Sequence, residues 1–261
     1  MTLTIGSLFS GIGGFERGLE AAGLGPVKWQ VEINPFCQRV LRRHYPGVRQ
    51  YADVREVGRE NLEPVDVLCG GFPCQDVSSG GRGEKAGLAG ARSGLWREFR
   101  RIAVETRPAI ILVENVASGR DRWLPHVRRD LHVLGYGTRA LSISAEDVGA
   151  PHRRQRIFVV AMADAGDDRR ALGGPAHDDD GDHETGDELD GRPPPARFPP
   201  APMGWGEQAE ADYQPSFLGG SPRLPDRLDR FVALGNSVMP AMSEAVGRAA
   251  LHYYARGGLR S

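Results

Sequence analysis

The chain has 261 residues, 40% of them hydrophobic and 26% charged, with a formal net charge of −1. This length can bury the core of one large domain, or of one large and one small, and no run of 18 or more apolar residues is available to span a membrane. The opening MTLTIGSLFSG lacks the charged region and apolar stretch of a secretion signal, so the cytoplasm is the expected location.

In chain order, LTIGSLF reads as a strand and GIGGFERGLEAAG as a helix stopping at Gly23. VKWQVEI is a second strand, and PFCQRVLRRHY a helix with apolar residues at helical spacing. VDVLCGG is a third strand, GLWREFRRIAVETR an amphipathic helix and AIILVEN a fourth strand. WLPHVRRDLHVLG is helical and RIFVVAMA a further strand. Strands alternating with helices predict an α/β fold with a largely parallel, Rossmann-like sheet.

The pattern then changes. Between Asp164 and Asp190 there are 11 acidic residues against 2 Arg, so the remainder carries 31 Lys and Arg against 23 Asp and Glu. A basic body with one acidic insert is compatible with a polyanionic partner, though a solvated surface would give the same counts. The stretch 164–225, rich in Asp, Gly and Pro, reads as either a small irregular domain or a partly disordered insert. It separates a main domain at 1–163 from a C-terminal segment at 226–261, whose residues from Pro240 to Ala255 read as a helix.

Five motifs bear chemistry. FSGIGG (9–14) stands at a strand-to-helix turn, where Ser10, Gly11, Gly13 and Gly14 let the backbone approach a ligand. Glu32 ends the next strand, where an acidic residue commonly holds ribose hydroxyls, and Asp53 closes YADV. GGFPCQDVSSGG (70–81) places Cys74 on a loop after a strand, flanked by Pro73, Gln75 and Ser78. A thiol so placed can serve as a nucleophile, whereas Cys37 on an amphipathic helix and Cys69 inside a strand read as core. Three cysteines without Cys-x-x-Cys spacing suggest neither a disulfide framework nor a metal site.

VENV puts Glu114 at the end of its strand as a possible proton donor. PHRRQRIF puts Arg154 and Arg156 on one side of an extended segment, and arginine suits phosphate or carbonyl recognition. ALGNSVMP, with Asn236 and Val238, precedes the last helix.

Together these motifs, in this order, resemble the cytosine-5 DNA methyltransferase family in a compact bacterial or phage-type form, over residues 3–163 and about 226–255. Ser7 stands where that family often has Asp, and His152 where it often has Gln. The resemblance implies an S-adenosylmethionine-dependent methyltransferase sheet and methyl transfer to cytosine carbon 5 through a covalent Cys74 intermediate. Glu114, Arg154 and Arg156 would assist, and Gln75 and Ser78 would face the base. It implies a cofactor site of Phe9, Ser10, Gly11, Gly13, Gly14, Glu32, Ile33, Asp53, Val54, Pro73, Leu95, Asn236 and Val238, with no metal. The implied partner is double-stranded DNA with a flipped cytosine, bound by a monomer in the cytoplasm of a bacterial host, as restriction–modification enzymes do. The insert, with Trp205, Tyr213 and Phe217, would recognise the target. An RNA cytosine-5 methyltransferase and a catalytically silent, cofactor-binding DNA-associated module are the alternative readings.

Overall fold

The computed structural model describes residues 2–73, 94–163 and 237–257. Seven strands form one sheet: β1 (Ile5–Leu8), β2 (Val27–Val31), β3 (Arg49–Tyr51), β4 (Val67–Gly71), β5 (Ile110–Val116), β6 (Tyr136–Ser144) and β7 (Gln155–Ala163). Their spatial order is β3-β2-β1-β4-β5-β7-β6. The β1, β2, β3, β4 and β5 pairings are all parallel, and β7 runs antiparallel to both β5 and β6. The helices are α1 (Gly14–Ala21), α2 (Pro35–His44), α3 (Gly94–Thr106), α4 (Arg120–Val133) and α5 (Pro240–Ala255).

The central strands are apolar almost throughout because both faces of the sheet are covered. On one face, Phe99 and Ile102 of α3 and Trp123 and Val127 of α4 pack against Leu68, Ile111, Val113 and Val159. On the other, Phe15 and Leu19 of α1 and Met242, Val246 and Ala250 of α5 pack against Ile5, Val67, Leu112 and Phe158. Phe99 and Phe158 are fully buried, and burial of each contributes about 1.5–3 kcal/mol.

The five predicted strands form, and two more join them. β3 is only three residues long, and β6 is an edge strand, YGTRALSIS, with a half-buried surface and little apolar alternation. The first helix starts at Gly14 rather than Gly11, because residues 9–13 turn. Phe9, Gly11 and Gly13 all have positive φ, of 55°, 56° and 88°. Gly23, at φ 95°, ends the helix as predicted, with its N–H donating to Glu20 O at 3.0 Å.

α1 meets α5 through small residues. A Cβ on Gly14 would collide with the Val238 carbonyl, and one on Gly18 with the Pro240 carbonyl and Ser243 Oγ. Ser243 Oγ donates to Gly14 O at 3.1 Å. No helix among the described residues is long and apolar enough to cross a membrane.

Candidate active site

Strand order reverses between β1 and β4, and a crevice outside their carboxyl ends is where open α/β sheets take ligands. There a narrow crevice is lined by the turn from Ser7 to Gly11, by Gly70 and Gly71 of β4, by Glu114 of β5 and by Ser237 and Val238.

One end of this region is built around Glu32. Gly11 N–H donates to its Oε2 and Asn34 N–H to its Oε1, each at 2.7 Å. The carboxylate thus ties the turn to the end of β2 and keeps lone pairs for a hydroxyl ligand. Burial raises its pKa, and these backbone donors oppose the rise. Beside it Ile33 leaves 65% of its surface in solvent, unusual for an isoleucine and suited to one face of a flat ring. Asp53 caps the single-turn helix Val54–Glu56, accepting from Arg55 N at 3.0 Å and from Arg55 Nε at 2.9 Å. That arginine holds the Asp53 carboxyl below its usual range. Val54 is buried beneath. Arg101 of α3 fixes the same turn, donating to Val54 O and Val57 O at 2.9 Å.

At the other end, Gly71 and Glu114 are register partners on β4 and β5. A Cβ on Gly71 would lie 2.5 Å from Glu114 Oε2, so only glycine leaves room for this carboxyl. Arg156 Nε meets Glu114 Oε1 at 2.7 Å, leaving Oε2 on the β4 side. Burial dominates and pushes the Glu114 pKa up to about 7, against the pull of Arg156 and Arg154. Arg154, just before β7, donates from Nη2 to Ser237 O at 2.7 Å. Burial, then the like charge of Arg156, lowers its pKa.

The predicted residues Phe9, Ser10, Gly11, Glu114 and Val238 therefore surround one pocket, with Glu32 bonded to its rim. Gly13 and Gly14 do not line it. Gly13 caps α1, and Gly14 faces Val238 across the α1–α5 contact. Pro73 is exposed, and half-buried Leu95 packs near the α3 side of the core. Cys74, Gln75, Ser78 and Asn236 lie outside the described residues. Cys37 and Cys69 are buried, in keeping with a core role.

Sequence reasoning passed over Asn115 and Phe72. Asn115 Nδ2 donates to Phe72 O at 3.2 Å, and the Phe72 ring packs on Trp96 and Trp123 at centroid distances of 5.5 and 5.9 Å. These contacts anchor the chain two residues before Cys74. The Asn in ENV was the available signal.

The model of the C-5 cytosine-specific DNA methylase family matches residues 3–180. The chain belongs to this family. It is 35% identical over 163 residues to the type II methyltransferase M2.BsuMI of Bacillus subtilis, covering 59% of this chain and 41% of that one. It is 31% identical over 159 residues to M.HhaI of Haemophilus parahaemolyticus, covering 59% and 47%. The aligned part thus spans about half the length of these relatives or less. A prophage-encoded E. coli protein assigned as a DNA modification methyltransferase superposes with a TM-score of 0.52 at 27% identity, over 62% of this chain and 47% of that one. The S. pombe Dnmt2 methyltransferase shares the fold, with a TM-score of 0.52 at 20% identity over 62% and 51%.

Proposed function

We propose that the protein methylates carbon 5 of cytosine in DNA, with Cys74 as nucleophile and S-adenosylmethionine as donor. The observation that carries this reading is Glu114: a buried carboxyl, half protonated near neutral pH, held by Arg156 and facing the strand that leads to Cys74. Cytosine carbon 5 is a poor nucleophile until the ring is activated from both sides. The Cys74 thiolate adds to carbon 6, forming a C–S bond, while Glu114 passes its proton to ring nitrogen 3. The electron pair then available at carbon 5 would attack the donor's methyl group, whose bond to sulfur would break to leave a neutral thioether. Removal of the carbon 5 proton restores the double bond and expels the thiolate, and nitrogen 3 returns its proton to Glu114, leaving the neutral methylated base. Arg156 orients Glu114 through Oε1 and contacts the base carbonyl, while Arg154 supports the backbone at Ser237.

S-adenosylmethionine, when bound, supplies an electrophilic methyl group. The residues present fit it: Glu32 for the ribose hydroxyls, Phe9 and Ile33 about the adenine, and Asp53 with Val54 at the adenine amine. Pro73 and Leu95 would line the methionine side beside the glycine turn and Ser10, and Asn236 and Val238 would complete the pocket from the C-terminal segment. The partner is double-stranded DNA with the target base flipped towards Gln75 and Ser78, bound by a monomer. Residues 1–163 and 226–261 form the catalytic unit in this reading, and 164–225 the recognition insert. The basic balance outside the insert suits a phosphate backbone.

Methyl transfer from labelled S-adenosylmethionine, measured on DNA and RNA side by side, tests the proposal. DNA labelling and a covalent adduct with 5-fluorocytosine DNA are expected. Cys74→Ser should abolish both and keep cofactor binding. Labelling of RNA alone, or a fully active Cys74→Ser, would overturn the assignment.

A further inference from the structure

Glu16 sits in the first turn of α1, where an acidic residue normally faces water and favours the helix dipole. Here it is completely buried. Its Oε1 accepts from Gln30 Nε2 of β2 at 3.1 Å, and its Oε2 is sealed from solvent with no hydrogen-bond partner among the described residues. The hydroxyls of Ser7 and Ser10 stand beside the carboxyl. Ser10 Oγ donates to Ser7 Oγ at 3.0 Å, and Ser10 N–H to Val31 O at 3.1 Å. Both serines line the pocket together with Phe9 and Gly11. Phe9, between them, holds φ 55°, a conformation that strains a bulky residue and persists only where its surroundings over-determine it.

We propose that Glu16 is a positioning residue for the cofactor turn: its carboxyl, enclosed between α1, β1 and β2, braces Ser7 and Ser10 and so fixes the strained backbone from Phe9 to Gly11. The inference rests on the reading of this turn as the S-adenosylmethionine site. The acid form is the one that braces. Its proton gives the orphaned oxygen a donor role towards a serine hydroxyl, whereas an ionised carboxylate would be an uncompensated buried charge. Burial raises the Glu16 pKa, opposed by its own backbone N–H, Ser7, Ser10 and Gln30, and no cation is among its influences. The titratable neighbour is Cys69 of β4, the register partner of Ser7, whose thiol is pushed well up by burial and by Glu16 itself. Glu32, at the rim, bonds Gly11 rather than this cluster.

Calorimetric titration with S-adenosylmethionine between acid and alkaline pH, beside thermal melts, tests the role in wild type, Glu16→Gln and Glu16→Leu. Glu16→Gln should keep the affinity that wild type has with Glu16 protonated, and lose the decline that wild type shows as rising pH ionises Glu16. Glu16→Leu, where it melts cooperatively, should bind about tenfold more weakly, the cost of one lost buried hydrogen bond. Equal affinity in Glu16→Leu, or the same decline with rising pH in wild type and Glu16→Gln, overturns the proposal. If Glu16→Leu does not fold, Ser10→Ala takes its place, and unchanged affinity there is equally fatal. Hydrogen exchange at the Ser10 and Gly11 amides of the free protein separates this idea from the functional reading. Exchange should quicken in Glu16→Leu (or Ser10→Ala) and not in Glu16→Gln, even if wild type binds no S-adenosylmethionine, a result that would sink the functional reading alone.

Discussion

Replacing Glu114 with Gln should change how stability depends on pH, by an amount set by the Glu114 environment. In the folded protein its pKa is about 7, against an ordinary value of 4.5. A carboxyl whose pKa rises on folding binds its proton more tightly when folded. Its contribution is fully present below pH 4.5 and is lost as pH climbs through 7. The full shift corresponds to about 3 kcal/mol, most of which falls between pH 5 and pH 8. Glutamine has nearly the same shape and no such slope. Subtracting the two proteins' stabilities therefore cancels every other titration common to both. Urea unfolding at a series of pH values should show wild type losing about 2–3 kcal/mol relative to Glu114→Gln from pH 5 to pH 8, seen in melts as about 5–10 °C. Parallel curves would refute the assignment of a raised pKa, and a slope of opposite sign would mean that Arg156 outweighs burial.

Gly71→Ala places a methyl 2.5 Å from Glu114 Oε2 and should lower kcat for methyl transfer about a hundredfold, with little change in the KM for cofactor. Glu32→Ala removes the acceptor of Gly11 N–H and should weaken S-adenosylmethionine binding at least about tenfold by calorimetry, and unchanged affinity would count against the ribose role. Gly18→Ala drives a methyl into the α5 backbone and should cost about 1–3 kcal/mol in chemical unfolding.

The sheet was legible where burial leaves a continuous apolar run. VLCGG and IILVENV are buried nearly end to end, so their composition alone declares them strands. β6 was not legible, because an edge strand with one neighbour tolerates Thr, Arg and Ser, and its pairing with β7 is a tertiary fact. The antiparallel course of β7 was hidden for the same reason. In the site, residue types announced themselves while their relations did not. Glu114 could be named as an acid, but its neighbours Gly71 and Arg156 lie 43 and 42 residues away and meet it only through strand register. Nothing in the sequence singles out Glu16, and only the fold turns it inward.

The α1–α5 contact has a bearing on how the protein is made. Ser243 Oγ reaches Gly14 O across 229 residues of chain, and Arg154 is tied to Ser237. The glycines that let α1 accept α5 therefore remain bare until synthesis has passed Pro240. At ribosomal speeds of about 5–20 residues per second, the glycine turn emerges about 10–45 s before its buttress. During that interval the nascent chain carries all the residues of its first βα unit but not the helix that sets their angle. Cofactor capture should accordingly wait until the helix Pro240–Ala255 has been made and has docked on the glycine turn.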